Sequence, residues 1–107
     1  MSSSKDYVEY VCSQLEGAGF IAYRKMFGEY MVYVNAKPLF LVCDNTVYVK
    51  KLECLEYLLK SAGTGNPYTG AKEHYILDID NAPLSREVAA VLEPITPLPK
   101  PKRKKLP

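Results

Sequence analysis

Glu29 stands immediately before Tyr30 and a few residues after Arg24 and Lys25, within the run Tyr-Arg-Lys-Met-Phe-Gly-Glu-Tyr-Met-Val-Tyr at positions 23–33. A carboxylate beside a phenol and near a guanidinium has the groups for general acid–base chemistry. Arg24, Glu29 and Tyr30 therefore make one candidate centre, a small-molecule or enzyme site at a sheet edge, provided the three side chains converge. The competing reading is structural: Glu29 pairs with a lysine or arginine of the neighbouring strand and pins the register of a hairpin. No second carboxylate, nucleophile or phosphate-cradling glycine loop accompanies it in the run. The structural reading leads, and no catalytic residue is assigned.

The one histidine, His74, lacks the further ligands a metal requires and has no Ser, Cys or Asp partner at a recognisable spacing. It reads as a surface or half-buried structural residue at a strand end. Cys12, Cys43 and Cys54 are odd in number, widely spaced and without a Cys-x-x-Cys pair, which fits buried free thiols better than a disulfide framework or a zinc site. Cys54 falls in the first turn of an expected helix, where a thiol's pKa can fall, so a redox use stays open for it. No cofactor and no metal are expected. The nine tyrosines invite comparison with sheets that stack single-stranded RNA, but no run resembles the RNP pattern of such sheets.

The elements that must position these residues follow from periodicity. Ser3 or Ser4 caps a first helix with Asp6 in its first turn, and Tyr7, Val8, Val11, Cys12 and Leu15 fall on one stripe before Gly17 and Gly19 end it. Residues 20–26 and 29–34 read as strands, with a tight connection at Gly28. After a turn at Asn35-Ala36-Lys37, residues 39–43 are continuously apolar and read as a central strand covered on both faces. Asp44-Asn45 turns into a fourth strand at 46–50. Residues 52–62 return to helical spacing, 64–72 read as a loop, 75–79 as a fifth strand and 85–93 as a last helix stopped by Pro94. The expected fold is α+β: an antiparallel sheet of about five strands with helices on one face, in the order α-β-β-β-β-α-β-α.

At 107 residues the chain has room for one core, taken as a domain at 1–95 followed by a Pro/Lys-rich tail at 96–107. The net charge of +2 is unevenly spread. Lys100, Lys102, Arg103, Lys104 and Lys105 are five of the 14 basic residues, leaving nine against twelve acidic ones, a body of about −3. A solvated end is the favoured reading of the tail, and weak nucleic-acid contact through these cations is the hypothesis set beside it. Neither a membrane-spanning run nor a signal peptide is recognisable, so the expected location is cytoplasmic, without membrane contact.

Arg24-Lys25-Met26-Phe27-Gly28-Glu29-Tyr30, continued by Val32-Tyr33, resembles the signature of the TfoX/Sxy N-terminal domain family. The similarity goes on through Leu41-Val42-Cys43-Asp44, Val47-Tyr48-Val49-Lys50, Ala62-Gly63 and Asn66-Pro67-Tyr68-Thr69. It implies a compact domain related to secretion-chaperone-like folds, without catalytic residues to carry over. Full-length members are regulators of natural competence that work with the cyclic-AMP receptor protein and carry a second domain. Here the chain runs instead into Pro and Lys residues, so a stand-alone N-terminal-like domain is expected. The turn Asn35-Ala36-Lys37-Pro38 departs from the Asp/Gly-rich turn usual in the family. The leading expectation is a non-enzymatic module that binds a protein partner, in the setting of transcription machinery. A small-molecule site around Glu29, Tyr30 and Arg24 is the alternative. An exposed sheet face or edge would also suit a homodimer.

Overall fold

In the computed structural model, residues 3–26 and 29–99 are described. Helix α1 spans Lys5–Gln14. Ser4 is its N-cap, its side chain accepting from the Tyr7 N–H, and Asp6 lies in the first turn. Val8, Val11 and Leu15, from the expected stripe, are fully buried, while Tyr7 and Cys12 pack half-buried against them. Full burial of such side chains stabilises by about 1.5–3 kcal/mol each.

A four-stranded meander follows: β1 (Ile21–Met26), β2 (Glu29–Val34), β3 (Lys37–Cys43) and β4 (Thr46–Lys50). Its second and third connections are two-residue turns, Asn35-Ala36 and Asp44-Asn45, with φ of 53° and 69° in the first and 53° and 52° in the second. Paired left-handed residues match the twist of a tight hairpin. Asn35 also ties the turn to the start of β1, since its Oδ1 accepts from the Phe20 N–H at 2.9 Å. Gly19 must stay small beside it, because an added Cβ would lie 2.8 Å from that oxygen. The connection expected at Gly28 lies outside the described residues.

Beyond β4 come a three-residue 3-10 helix (Glu53–Leu55), the two-residue β5 (Thr64–Gly65), β6 (His74–Leu77) and α2 (Ala82–Ile95). The strands form one six-stranded antiparallel sheet in the order β1-β2-β3-β4-β6-β5. One face carries Val32, Val34, Phe40, Val42, Val47, Val49 and Leu77, which join residues of both helices in a single core. The fold is therefore α+β, with two α-helices in place of three and six strands in place of about five among the described residues.

Three local expectations need correction. Residues 52–62 do not form an α-helix: Leu55, Glu56 and Ala62 donate to carbonyls three residues back, and only Leu59 reaches four back, to Leu55. Irregular turns suffice to bury Leu55 and Leu59, and so short a helix has little stability of its own. The presumed loop after it begins with β5. Helix α2 starts earlier, with Asn81 as N-cap accepting from Leu84 N–H, and runs through Pro94 to Ile95. Strand β3 is central as expected, and Leu39, Phe40, Val42 and Cys43 of its apolar run are buried. A register shift opposite Val32/Tyr33 lets the consecutive Leu39 and Phe40 both be buried, while Leu41 stays half-buried on the other side.

Candidate functional site

The strand register decides which candidate residues meet. Met26 pairs with Glu29, Lys25 with Tyr30 and Arg24 with Met31. Alternation then puts Arg24, Met26 and Glu29 on the outer face, away from the helices, and Lys25 and Tyr30 on the inner one. Tyr30 is buried, its ring edge-on to Tyr23 at 5.6 Å. Arg24, Glu29 and Tyr30 thus do not form one centre. Phe27 and Gly28 of the same motif lie outside the described residues.

Glu29 does pin the structure, by a different route from the expected strand-to-strand ion pair. Its Oε1 accepts from the Ser3 N–H at 3.1 Å, the Ser3 hydroxyl at 2.9 Å and the Asp44 N–H at 3.1 Å. The Asn45 N–H donates to Ser3 Oγ at 2.8 Å, and the Ser4 N–H to Asn45 Oδ1 at 3.0 Å. One carboxylate oxygen thereby joins the segment before α1 to the β3–β4 turn. Sequence reading missed Ser3 and Asp44 as its partners, because contacts 26 and 15 residues apart leave no local pattern.

The outer face is the larger feature. Arg24 pairs with Met31, Met31 with Leu41, Leu41 with Tyr48 and Tyr48 with Ile76. These five residues form one row across five strands, its four apolar or aromatic members half-buried and Arg24 exposed. Met31, Leu41 and Tyr48 continue into an open groove of about 400 Å³ that also takes in Lys50, Tyr68 and His74, and that the end of α2 borders through Leu92, Ile95 and the following Thr96. The only sequence signal for the row is that the alternate residues Met31 and Tyr33 of β2 are themselves apolar and aromatic.

His74 stands at the start of β6, with Nδ1 2.7 Å from the Lys72 carbonyl and its ring edge-on to Tyr48 at 6.4 Å. Cys54 is exposed on the 3-10 turn, so the helix N-terminus invoked for it is not formed. Burial pushes the Cys43 thiol up to about 11, with Glu29 and Asp44 adding to the shift, and burial raises Cys12 as well. The Thr64 hydroxyl and Lys51 lower the Glu73 carboxyl, each bonding one of its oxygens. Among the described residues no group of three or more His, Cys, Asp or Glu is placed to hold a metal ion, and no helix is long and apolar enough to cross a membrane. The basic residues from Lys100 to Lys105 lie outside the described residues.

No family model matches the chain. It is similar to an uncharacterised 12.7 kDa protein in the trpE 5′ region of Spirochaeta aurantia, with 29% identity over 107 residues that cover 98% of this chain and 93% of that protein.

Proposed function

We propose that the chain is a non-enzymatic interaction module that binds a protein partner through the outer sheet face. The observation that carries this reading is the row Met31–Leu41–Tyr48–Ile76, apolar and aromatic groups in direct register that stay only half-buried. An apolar centre with charged residues at its margins, here Arg24 and Lys50, is the anatomy of a recognition surface. The Glu29 carboxylate is meanwhile engaged in holding Ser3 and the Asp44-Asn45 turn. The resemblance of residues 24–30 to the TfoX/Sxy N-terminal signature points the reading towards partners in transcriptional control.

Affinity capture with purified bait tests it. Proteins retained by the wild type and lost from Tyr48→Glu, with the same melting curve for both baits, are the expected result. Identical retention by the two baits, together with specific turnover of a metabolite by the purified protein, overturns it. The alternative around Glu29 is tested by a thermal-shift screen. A ligand that stabilises the wild type more than Glu29→Gln would favour that alternative.

A further inference from the structure

We infer that the groove at one end of the outer sheet face binds a small organic carboxylate with an apolar body, its head on the cross-strand pair Lys50–His74 and its body against Leu41, Leu52 and Ile95. The inference goes beyond the protein-binding reading, because it assigns a free ligand to one end of the face that receives the partner there.

The groove exists because two strands part. β3 and β4 are paired from Cys43–Thr46 to Leu41–Tyr48 and no further, although β3 begins at Lys37 and β4 continues to Lys50. Past that point each strand follows its other neighbour: Phe40 and Pro38 stay with β2 across the register shift, and Val49 and Lys50 stay with β6. Pro38, Leu39 and Phe40 line one bank of the opening and Lys50 and Leu52 the other, with the end of α2 bordering it. Its volume of about 400 Å³ suits a small ligand, since such pockets measure about 300–1,000 Å³ and are mostly apolar with a few polar groups.

Charge decides the kind of ligand. Lys50 stands directly opposite His74, and alternation along β4 and β6 puts the pair on the same face as Tyr48 and Ile76. Two basic groups so placed repel when both are charged. No Asp or Glu lines the groove to offset them, and Lys50 is exposed without an ion-pair partner among the described residues. Glu73, next to His74, is bonded by Lys51 and Thr64, and Glu93, next to Leu92, by Lys37. Glu53, next to Leu52, lies on the 3-10 turn outside the lining. A carbonyl only accepts, so His74 donates its Nδ1–H to Lys72, and Nε2 is the nitrogen left for a ligand, donating from the imidazolium form. A carboxylate shared by Lys50 and that nitrogen gains two charge-assisted hydrogen bonds and offsets the repulsion.

The apolar body has walls to cover. Tyr68 is 62% exposed and Ile95 55%, two large side chains open to water at the rim. Covering them removes apolar surface from water. The chain's own continuation is a poor occupant: it leaves the rim at Thr96 and Pro97 and carries five cations and no Asp or Glu over residues 100–105, the sign that Lys50 and His74 repel.

NMR titration of the nitrogen-15-labelled full chain with 4-phenylbutyrate, 4-phenylbutanol and 4-phenylbutylamine tests the inference, in mildly acidic buffer and with circular dichroism confirming the fold of each variant. Saturable shifts centred on Leu41, Lys50, His74 and Ile95 are expected, with the acid bound about tenfold tighter than the alcohol and the amine weakest. Lys50→Glu is expected to erase the acid's advantage, and Lys5→Glu, the same charge change on α1, to preserve it. Ile95→Ala is expected to weaken acid and alcohol alike. If Lys50→Glu does not fold, Lys50→Gln, which drops the charge alone, decides in its place. An acid no tighter than the alcohol, shifts centred elsewhere, or a Lys50 variant that behaves as Lys5→Glu overturns the inference. Binding of 4-phenylbutyrate by a chain that captures no protein upholds it and counts against the protein-binding reading. Proteins captured by the wild type and lost from Lys50→Glu, with no 4-phenylbutyrate bound, give the two cations to a partner's carboxylates and overturn it.

Discussion

Glu29 shows how one side chain can carry a motif's structural role. Three donors converge on its Oε1, two from Ser3 and one from Asp44. Hydrogen bonds to a charged acceptor contribute about 1.5–3 kcal/mol each, and those made by partly exposed groups lie at the bottom of that range. Glu29→Ala is therefore expected to lower unfolding free energy by about 2 kcal/mol, measured by urea denaturation, with Glu29→Gln losing less because an acceptor oxygen remains. Unchanged stability together with loss of a measured activity would return Glu29 to a chemical role. The thiols give a second prediction at this scale. Cys43 is raised from 9.0 to about 11, and Cys12 and Tyr7 are shifted in the same direction, chiefly by burial. A folded-state pKa above the unfolded one means that the group's contribution is fully present below about pH 9 and is lost as pH rises through the folded value. Urea unfolding from neutral to strongly alkaline pH should show stability falling, less steeply in Cys43→Ala. A thiol reagent near neutral pH should label Cys54 first, because it is exposed while Cys43 is buried.

Elements differ in how plainly the sequence announces them, and the difference follows the range of the forces involved. Helix α1 is legible because its cap, first-turn acid and apolar stripe all fall within a dozen residues. The Asp44-Asn45 turn is legible because both residue types tolerate the left-handed region. Residues 52–62 misled because Leu55 and Leu59 satisfy a helical period and a pair of irregular turns equally well. Pro94 misled because a proline in the last turn removes only one of the helix's final hydrogen bonds. The outer row left no signal beyond the alternate residues Met31 and Tyr33, since Arg24, Met31, Leu41, Tyr48 and Ile76 come together only through the register of five strands. Ala36 supplies a test at this scale: its φ of 69° places a Cβ where L-residues are disfavoured. Ala36→Gly is expected to stabilise the protein by about 0.5–1 kcal/mol, seen as a higher melting temperature, after allowing for the extra freedom of glycine in the unfolded chain. Lys37, at the end of the same turn, reaches α2, where its Nζ lies 3.1 Å from the Glu93 carboxylate and donates to the Glu93 carbonyl at 2.8 Å. Lys37→Ala is expected to cost about 1 kcal/mol in a thermal or urea melt, because it removes a cation from a helix C-terminus.

At the scale of the molecule, charge and strand order each have consequences. The body is mildly acidic, so any nucleic-acid affinity has to come from the cations at 100–105. Fluorescence anisotropy at low salt should show weak, steeply salt-dependent oligonucleotide binding by the full chain and none by a chain ending at Pro97. Equal binding by both would dismiss a role for the tail. The sheet order also governs assembly. The first four strands join neighbours along the chain, two of the joints being two-residue turns, whereas β6 must return between β4 and β5. Local hairpins close faster than distant pairings. The meander therefore forms while the far side of β4, Thr46-Val47-Tyr48-Val49, still has unpaired backbone, and docking of residues 74–77 is the late event. In pulsed hydrogen exchange, amides of β2 and β3 should gain protection before those of β6. A chain released from a ribosome before β6 has emerged would present that open strand to its neighbours, making residues 46–49 the place where misassembly begins.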